Sequence, residues 1–228
     1  MAGRKRKKKR NRYRKHIIIW ILLLLVTAHF CGGKLQQTLH KMPGETDWEL
    51  IVVNKWNTIP DGYQTELTTL SNGKQVDSRI YPALQDLFDA MRADGIYPIV
   101  REGYRTTTDQ QSILDDKIKA YEQEGLSSLL AKKMASEWVA APGTSEHQLG
   151  IAVDINADKT KSTNDEVYTW LAEHAWEYGF ILRYPKDKEN VTGTGYEPWH
   201  YRYVGKEAAA EIYEQQICLE EYLERIKE

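Results

Sequence analysis

Residues 151–156 constrain the fold more tightly than any other stretch. Ile151, Val153 and Ile155 alternate with Ala152, Asp154 and Asn156, a period of two that only an extended strand holds, because its successive side chains point to opposite faces. One face is apolar and needs a core, while the other carries the Asp154 carboxylate. Much of the neighbouring sequence keeps helical spacing. In residues 81–93, Leu84, Leu87, Phe88 and Met91 fall on one helical face, and residues 106–122, 127–139, 165–178 and 206–226 also read as helices. Short strands are predicted at residues 50–53, 96–100, 180–182 and 199–204, with a loop rich in Gly, Lys and Thr at 184–196. Helices and strands do not alternate strictly, which predicts an α+β domain with a small antiparallel or mixed sheet rather than a doubly wound parallel one.

Charge divides the chain. The 31 Lys+Arg and 33 Asp+Glu give a formal net charge of -2. Ten of those bases (Arg4, Lys5, Arg6, Lys7, Lys8, Lys9, Arg10, Arg12, Arg14 and Lys15) precede residue 16 with no acid among them, so residues 16–228 carry 21 bases against 33 acids. An acidic body is poorly suited to nucleic-acid phosphates, whose binding draws on Lys and Arg displacing counterions. With 228 residues, 41% of them hydrophobic, the composition excludes a disordered body, a collagen-like repeat and a multi-span membrane protein. After the basic run, residues 17–28 are uncharged, and the stretch continues through His29 and Phe30 to Cys31, Gly32 and Gly33. That is short of the roughly 20 apolar residues that span a bilayer, but long enough for a signal-peptide core. Val26-Thr27-Ala28 is a passable cleavage site, and the basic flank favours a cytoplasmic N-terminus. The expected division is a basic cytoplasmic tail at 1–16, a membrane anchor or signal peptide at 17–33, a polar linker at 34–47 and one domain at 48–228. That domain is expected outside the cell membrane, tethered by a single pass, or secreted if the segment is cleaved. Cys31 and Cys218 offer neither a plausible bridge nor a Cys-x-x-Cys spacing.

Three segments concentrate chemistry: residues 145–154, residues 196–200, and Gly103-Tyr104-Arg105 with Gln110. His147 precedes the strand that carries Asp154, and His200 begins another. Two imidazoles and a carboxylate are the three-ligand set of a catalytic zinc, which keeps its fourth position for water. Glu197 lies three residues before His200, with Pro198 stiffening the backbone between, where it can stand beside the metal as a base. His174, His16, His29 and His40 carry no such context. Arg101, Arg105, Arg183 and Lys186 are candidates to line a groove, and Trp199 to form a pocket wall.

Taken together, Ser-x-His-x-x-Gly-x-Ala-x-Asp at 145–154 and Glu-Pro-Trp-His at 197–200 resemble the zinc D-alanyl-D-alanine carboxypeptidases of the vancomycin-resistance Y type. These belong with the D-Ala-D-Ala dipeptidases and L,D-carboxypeptidases. The likeness runs from about Val53 through Gly103-Tyr104-Arg105 to Gly205. It implies His147, Asp154 and His200 as ligands of one zinc per chain and Glu197 as catalytic base. It also implies the fold shared with the Hedgehog signalling domain, a small antiparallel sheet flanked by helices, and it places Tyr104, Arg105 and Gln110 in the substrate pocket. Arg105 would then clamp a substrate carboxylate or an oxyanion, and Ser145 would bond the substrate's C-terminal end. The expected reaction is removal of the terminal D-Ala from peptidoglycan stem peptides. Alternatives are an L,D-carboxypeptidase acting on tetrapeptide stems, a dipeptidase acting on free D-Ala-D-Ala, a zinc-stabilised cell-wall-binding module without turnover, and a glycosidase pairing Glu146 with Glu197.

Overall fold

The computed structural model describes residues 48–227. The basic run, the apolar stretch at 17–33 and the linker at 34–47 lie outside the described residues. Among the described residues, no helix is long and apolar enough to cross a membrane.

A four-stranded sheet forms the centre. Its strands β3 (Pro98–Glu102), β4 (Ala152–Ala157), β6 (His200–Tyr203) and β5 (Phe180–Leu182) lie side by side in that order, each pair antiparallel. A separate antiparallel hairpin joins β1 (Leu67–Thr69) to β2 (Gln75–Asp77). The helices are α1 (Tyr81–Ala93), α2 (Thr107–Gln123), α3 (Ser128–Ala135), α4 (Asn164–His174), the single turn α5 (Glu189–Thr192), α6 (Lys206–Gln215) and α7 (Leu219–Arg225). The α+β expectation with a small antiparallel sheet therefore holds.

The period-two stretch behaves as its pattern requires. Ile151, Val153 and Ile155 are fully buried in one cluster with Leu84, Leu87 and Met91 of α1 and Val167 and Leu171 of α4. Each such aliphatic side chain contributes about 1.5–3 kcal/mol by leaving water. A second cluster packs Ala209 and Ile212 of α6 and Leu219 and Leu223 of α7 against Val52, Ile181 and Val204. Capping sets two helix starts: Thr106 and Asp109 form a capping box on α2, and Thr163 and Glu166 form one on α4.

Several boundaries differ from the sequence reading. Residues 51–53 are buried as expected but join no strand; the Arg202 side chain binds the carbonyls of Glu49 and Ile51, each at 2.9 Å, where a neighbouring strand would otherwise pair. The helix expected over 206–226 breaks at Gln216, whose φ of 53° is left-handed. A short α5 interrupts the loop expected at 184–196. The hairpin β1–β2 went unrecognised because its three-residue strands are largely polar.

Candidate active site and metal centre

The β4–β6 register places Asp154 directly opposite His200. Across the other edge of β4, a shift in register between Val100 and Glu102 puts Glu102 opposite Asp154. His147 enters from a 3-10 turn, Glu146–Leu149, that ends at Gly150. Gly150 has φ 77°, and a Cβ there would stand 3.1 Å from the backbone nitrogen of Asp77, so glycine suits both the turn and the close approach.

His147, Asp154 and His200 thereby present one ligand atom each within 4.8 Å of one another. Asp154 Oδ1 lies 3.4 Å from His147 Nε2 and 3.1 Å from His200 Nδ1, yet it is buried without hydrogen-bond geometry to any partner. Ligands at ~2.0–2.1 Å from a tetrahedral zinc stand about 3.3 Å apart, so the separations of Asp154 from both histidines suit such an ion. The imidazole rings meet edge to face, with centroids 4.8 Å apart and an interplanar angle of 80°. His147 Nδ1 bonds the Gly103 carbonyl at 2.8 Å, which leaves Nε2 for the centre. Burial lowers the pKa of His147. Burial acts the same way on His200, but the Asp154 and Glu146 carboxylates beside it outweigh burial and raise that pKa to about 9 in the metal-free chain.

Glu197 stands just outside the three, with Oε2 3.7 Å from His200 Nδ1. Its turn is held by its N–H donating to the Tyr184 carbonyl and by the His200 N–H donating back to its own carbonyl, both at 3.2 Å. Burial raises its pKa to about 7, with the Asp154 charge adding and the His200 and Arg105 charges opposing.

Arg105 is anchored by its backbone N–H to the His147 carbonyl at 3.1 Å and by Nη1 to Gln110 Oε1 at 3.3 Å. Gln110 in turn donates to the Ala140 carbonyl at 2.7 Å. Arg105 Nη2 is 3.5 Å from Asp154 Oδ2, while its buried Nε has no hydrogen-bond partner. Arg105, Gln110, Ser145, Glu197, Trp199 and the three candidate ligands all line one cleft of about 200 Å³. Tyr104 does not line it; its backbone N–H is used on the Gln75 carbonyl at 2.6 Å.

Other sequence candidates lie elsewhere. Arg183 is fully buried in an ion network and lines no groove at the metal centre. Glu146, fully enclosed, accepts from Arg183 Nε and Arg202 Nη1 at 2.8 Å each, so it is not available as one of a solvent-accessible glycosidase pair. Lys186 lies over the Tyr196 ring at 4.9 Å, Arg101 is exposed on β3, and His174 pairs with Glu177 near the surface. Sequence reasoning missed Tyr184, whose ring packs 4.8 Å from that of His200 in the cleft wall, and Lys55 and Trp138 on the same wall. None of these sits in a spacing that marks it, so only proximity reveals them.

A family model described as VanY, D-alanyl-D-alanine carboxypeptidase, matches residues 73–206. The chain belongs to the VanY family. It is an enzyme of the D-alanyl-D-alanine carboxypeptidase class, as its similarity to individual family members also shows. A D-alanyl-D-alanine carboxypeptidase of Enterococcus faecalis (strain ATCC 700802 / V583) is 59% identical over 186 residues, 82% of this chain and 69% of the relative. Two solved VanY-family structures are each 61% identical over 78% of this chain, with TM-score 0.76. One, covered to 99%, is a mutant of a vancomycin-resistance D,D-pentapeptidase VanY from a VanB-type cassette in complex with Zn(II). The other, covered to 98%, is VanYB in complex with D-alanine-D-alanine. The solved LD-carboxypeptidase LdcB is 34% identical over 80% of this chain and 90% of its own length, with TM-score 0.66.

Proposed function

We propose that this chain is an exported zinc D,D-carboxypeptidase that removes the terminal D-Ala from peptidoglycan stem peptides. The observation that carries this reading is a single cleft holding the His147, Asp154 and His200 ligand atoms, Glu197 beside them, and the Arg105 guanidinium on its wall. His147, Asp154 and His200 would hold the ion. When bound, zinc supplies Lewis acidity, lowering the pKa of a coordinated water from 15.7 to about 7 and polarising a carbonyl.

The residues of the chain account for the rest. Glu197, buried beside the ligand atoms, with a pKa of about 7 in the metal-free chain, is placed to take a proton and to return it to the departing amine of D-Ala. Arg105, at the cleft wall, offers its guanidinium fork to an anion of the substrate. Gln110 holds that fork in place, Ser145 offers a hydroxyl at the cleft wall, and Trp199 and Tyr184 bound the space in which the terminal residue sits. The basic run followed by an uncharged stretch supports export, and cell-wall stems lie on that side of the membrane. A role in vancomycin resistance is supported by the VanB-type origin of a relative.

A second reading, removal of D-Ala from tetrapeptide stems through an L,D bond, is favoured by the likeness to LdcB. Zinc content and D-Ala release, measured on the purified full chain with a synthetic pentapeptide ending in D-Ala-D-Ala and with the matching tetrapeptide, test both. Release from the pentapeptide with one zinc per chain is the expected result. Release from the tetrapeptide alone replaces the D,D reading with the L,D one, and release from neither by the zinc-loaded chain overturns both.

A further inference from the structure

The two candidate histidine ligands use their second nitrogens differently. His147 bonds a neutral backbone carbonyl, that of Gly103, at 2.8 Å. His200 turns Nδ1 toward Asp154 and points Nε2 toward Glu146 Oε2, 3.8 Å away. Both His200 Nε2 and Glu146 Oε2 are buried, and neither has a hydrogen-bond partner. A donor and an acceptor that face each other across a sealed interior, each otherwise unsatisfied, are costly to bury unless they serve one another.

The surroundings of Glu146 explain why only Oε2 remains. Its other oxygen, Oε1, accepts from Arg183 Nε and Arg202 Nη1, both at 2.8 Å. The far edge of Arg183 grips both oxygens of Glu220, at 2.6 and 2.8 Å, and Glu220 accepts from Asn54 Nδ2 at 3.0 Å. Arg202 is tied by Nη2 to the carbonyls of Glu49 and Ile51, each at 2.9 Å. Two guanidinium and two carboxylate groups give this buried cluster no net charge, and every member is held from at least two directions. With Oε1 taken by the two guanidinium groups, Oε2 is the acceptor left facing His200.

We infer that Glu146 is a positioning residue for the metal centre: its Oε2 receives the Nε2–H of His200, fixing the ring's tautomer and aim so that Nδ1 presents its lone pair beside Asp154. At 3.8 Å the contact is longer than a hydrogen bond, and the inference requires it to shorten. A carboxylate behind a ligating imidazole raises its basicity as well as orienting it. The inference rests on the proposed reading of the same site as a zinc centre.

The test compares zinc affinity, by competition with a chromophoric chelator, for the full chain and two variants. Glu146→Gln is expected to bind zinc about tenfold to hundredfold more weakly than the unaltered chain, with a shifted visible spectrum when loaded with Co(II). Glu220→Gln breaks the same ion network one step further out. It is expected to lower Tm while changing zinc affinity no more than about threefold, because the Glu146–His200 pair survives. Equal zinc affinity in Glu146→Gln and the unaltered chain overturns the inference, as does an equal loss in both variants, which would mark the network as fold support alone. If Glu146→Gln fails to fold, nitrogen-15 NMR of the zinc-loaded unaltered chain decides. A slowly exchanging proton on His200 Nε2 supports the inference, and an unprotonated Nε2 overturns it. An unaltered chain that binds no zinc overturns the site reading itself.

Discussion

Glu197 is pulled in two directions, and burial prevails. Desolvation and the Asp154 charge raise its pKa, the His200 and Arg105 charges lower it, and the result in the metal-free chain is about 7. Glu197→Ala removes that group without touching the three ligand atoms, so zinc content should stay at one per chain while kcat falls by about 10²–10⁴-fold. D-Ala release and metal analysis on the same preparation check this, and near-normal turnover would refute the role of Glu197 as base. At Arg105 the relevant property is shape. Its fork holds Gln110 with one arm at the cleft wall, and a lysine supplies charge without that geometry. Arg105→Lys should raise KM for the pentapeptide by about tenfold or more, as steady-state kinetics would show.

At the scale of elements, the centre depends on strands meeting in one register. The β4–β6 pairing sets Asp154 against His200, and a one-residue slip would turn Asp154 into the core. The segment leading out of β3 approaches the hairpin so closely that a Cβ on Gly103 would lie 2.2 Å from the Gln75 carbonyl oxygen. Gly103→Ala must therefore move backbone that also supplies the hydrogen-bond acceptor of His147. It should cost about 1–3 kcal/mol of stability and weaken zinc binding with it, measurable by denaturant unfolding and metal titration. Helix α7 is tied in through Glu220, which satisfies the buried Arg183. Glu220→Ala leaves that guanidinium short of a partner, and a loss of about 3–5 kcal/mol in urea unfolding is expected.

For the molecule as a whole, the metal changes how stability responds to pH. In the metal-free chain His200 holds its proton more tightly than an unfolded histidine, with a pKa of about 9 against 6.5. The resulting stabilisation, on the order of 3 kcal/mol, is fully present below about pH 6.5 and is lost as pH rises through 9. Zinc requires the neutral imidazole, so in excess zinc stability should instead rise with pH over that window. Thermal melts with and without chelator test the reversal, and parallel curves would count against His200 as a ligand. Much of this was legible beforehand. The alternation at residues 151–156 specified a strand with one buried face, and the spacing of Leu84, Leu87, Phe88 and Met91 specified α1, because those periods are local consequences of backbone geometry. His147, Asp154, Glu197 and His200 were legible because their short motifs resemble those of a known family. What no local pattern carried was the partner of each charge. Glu146, Arg183, Arg202 and Glu220 come from four separated segments, and nothing in their spacing pairs them with one another. Arg183 reads in sequence as a groove candidate, and only the packing of α7 and β6 around it reveals a neutral, sealed cluster. Sequence alone determined which side chains are able to hold a metal and which strand carries one of them. Tertiary structure decided which of the remaining charges face each other, because pairing across a low-dielectric interior depends on distances that spacing along the chain does not encode.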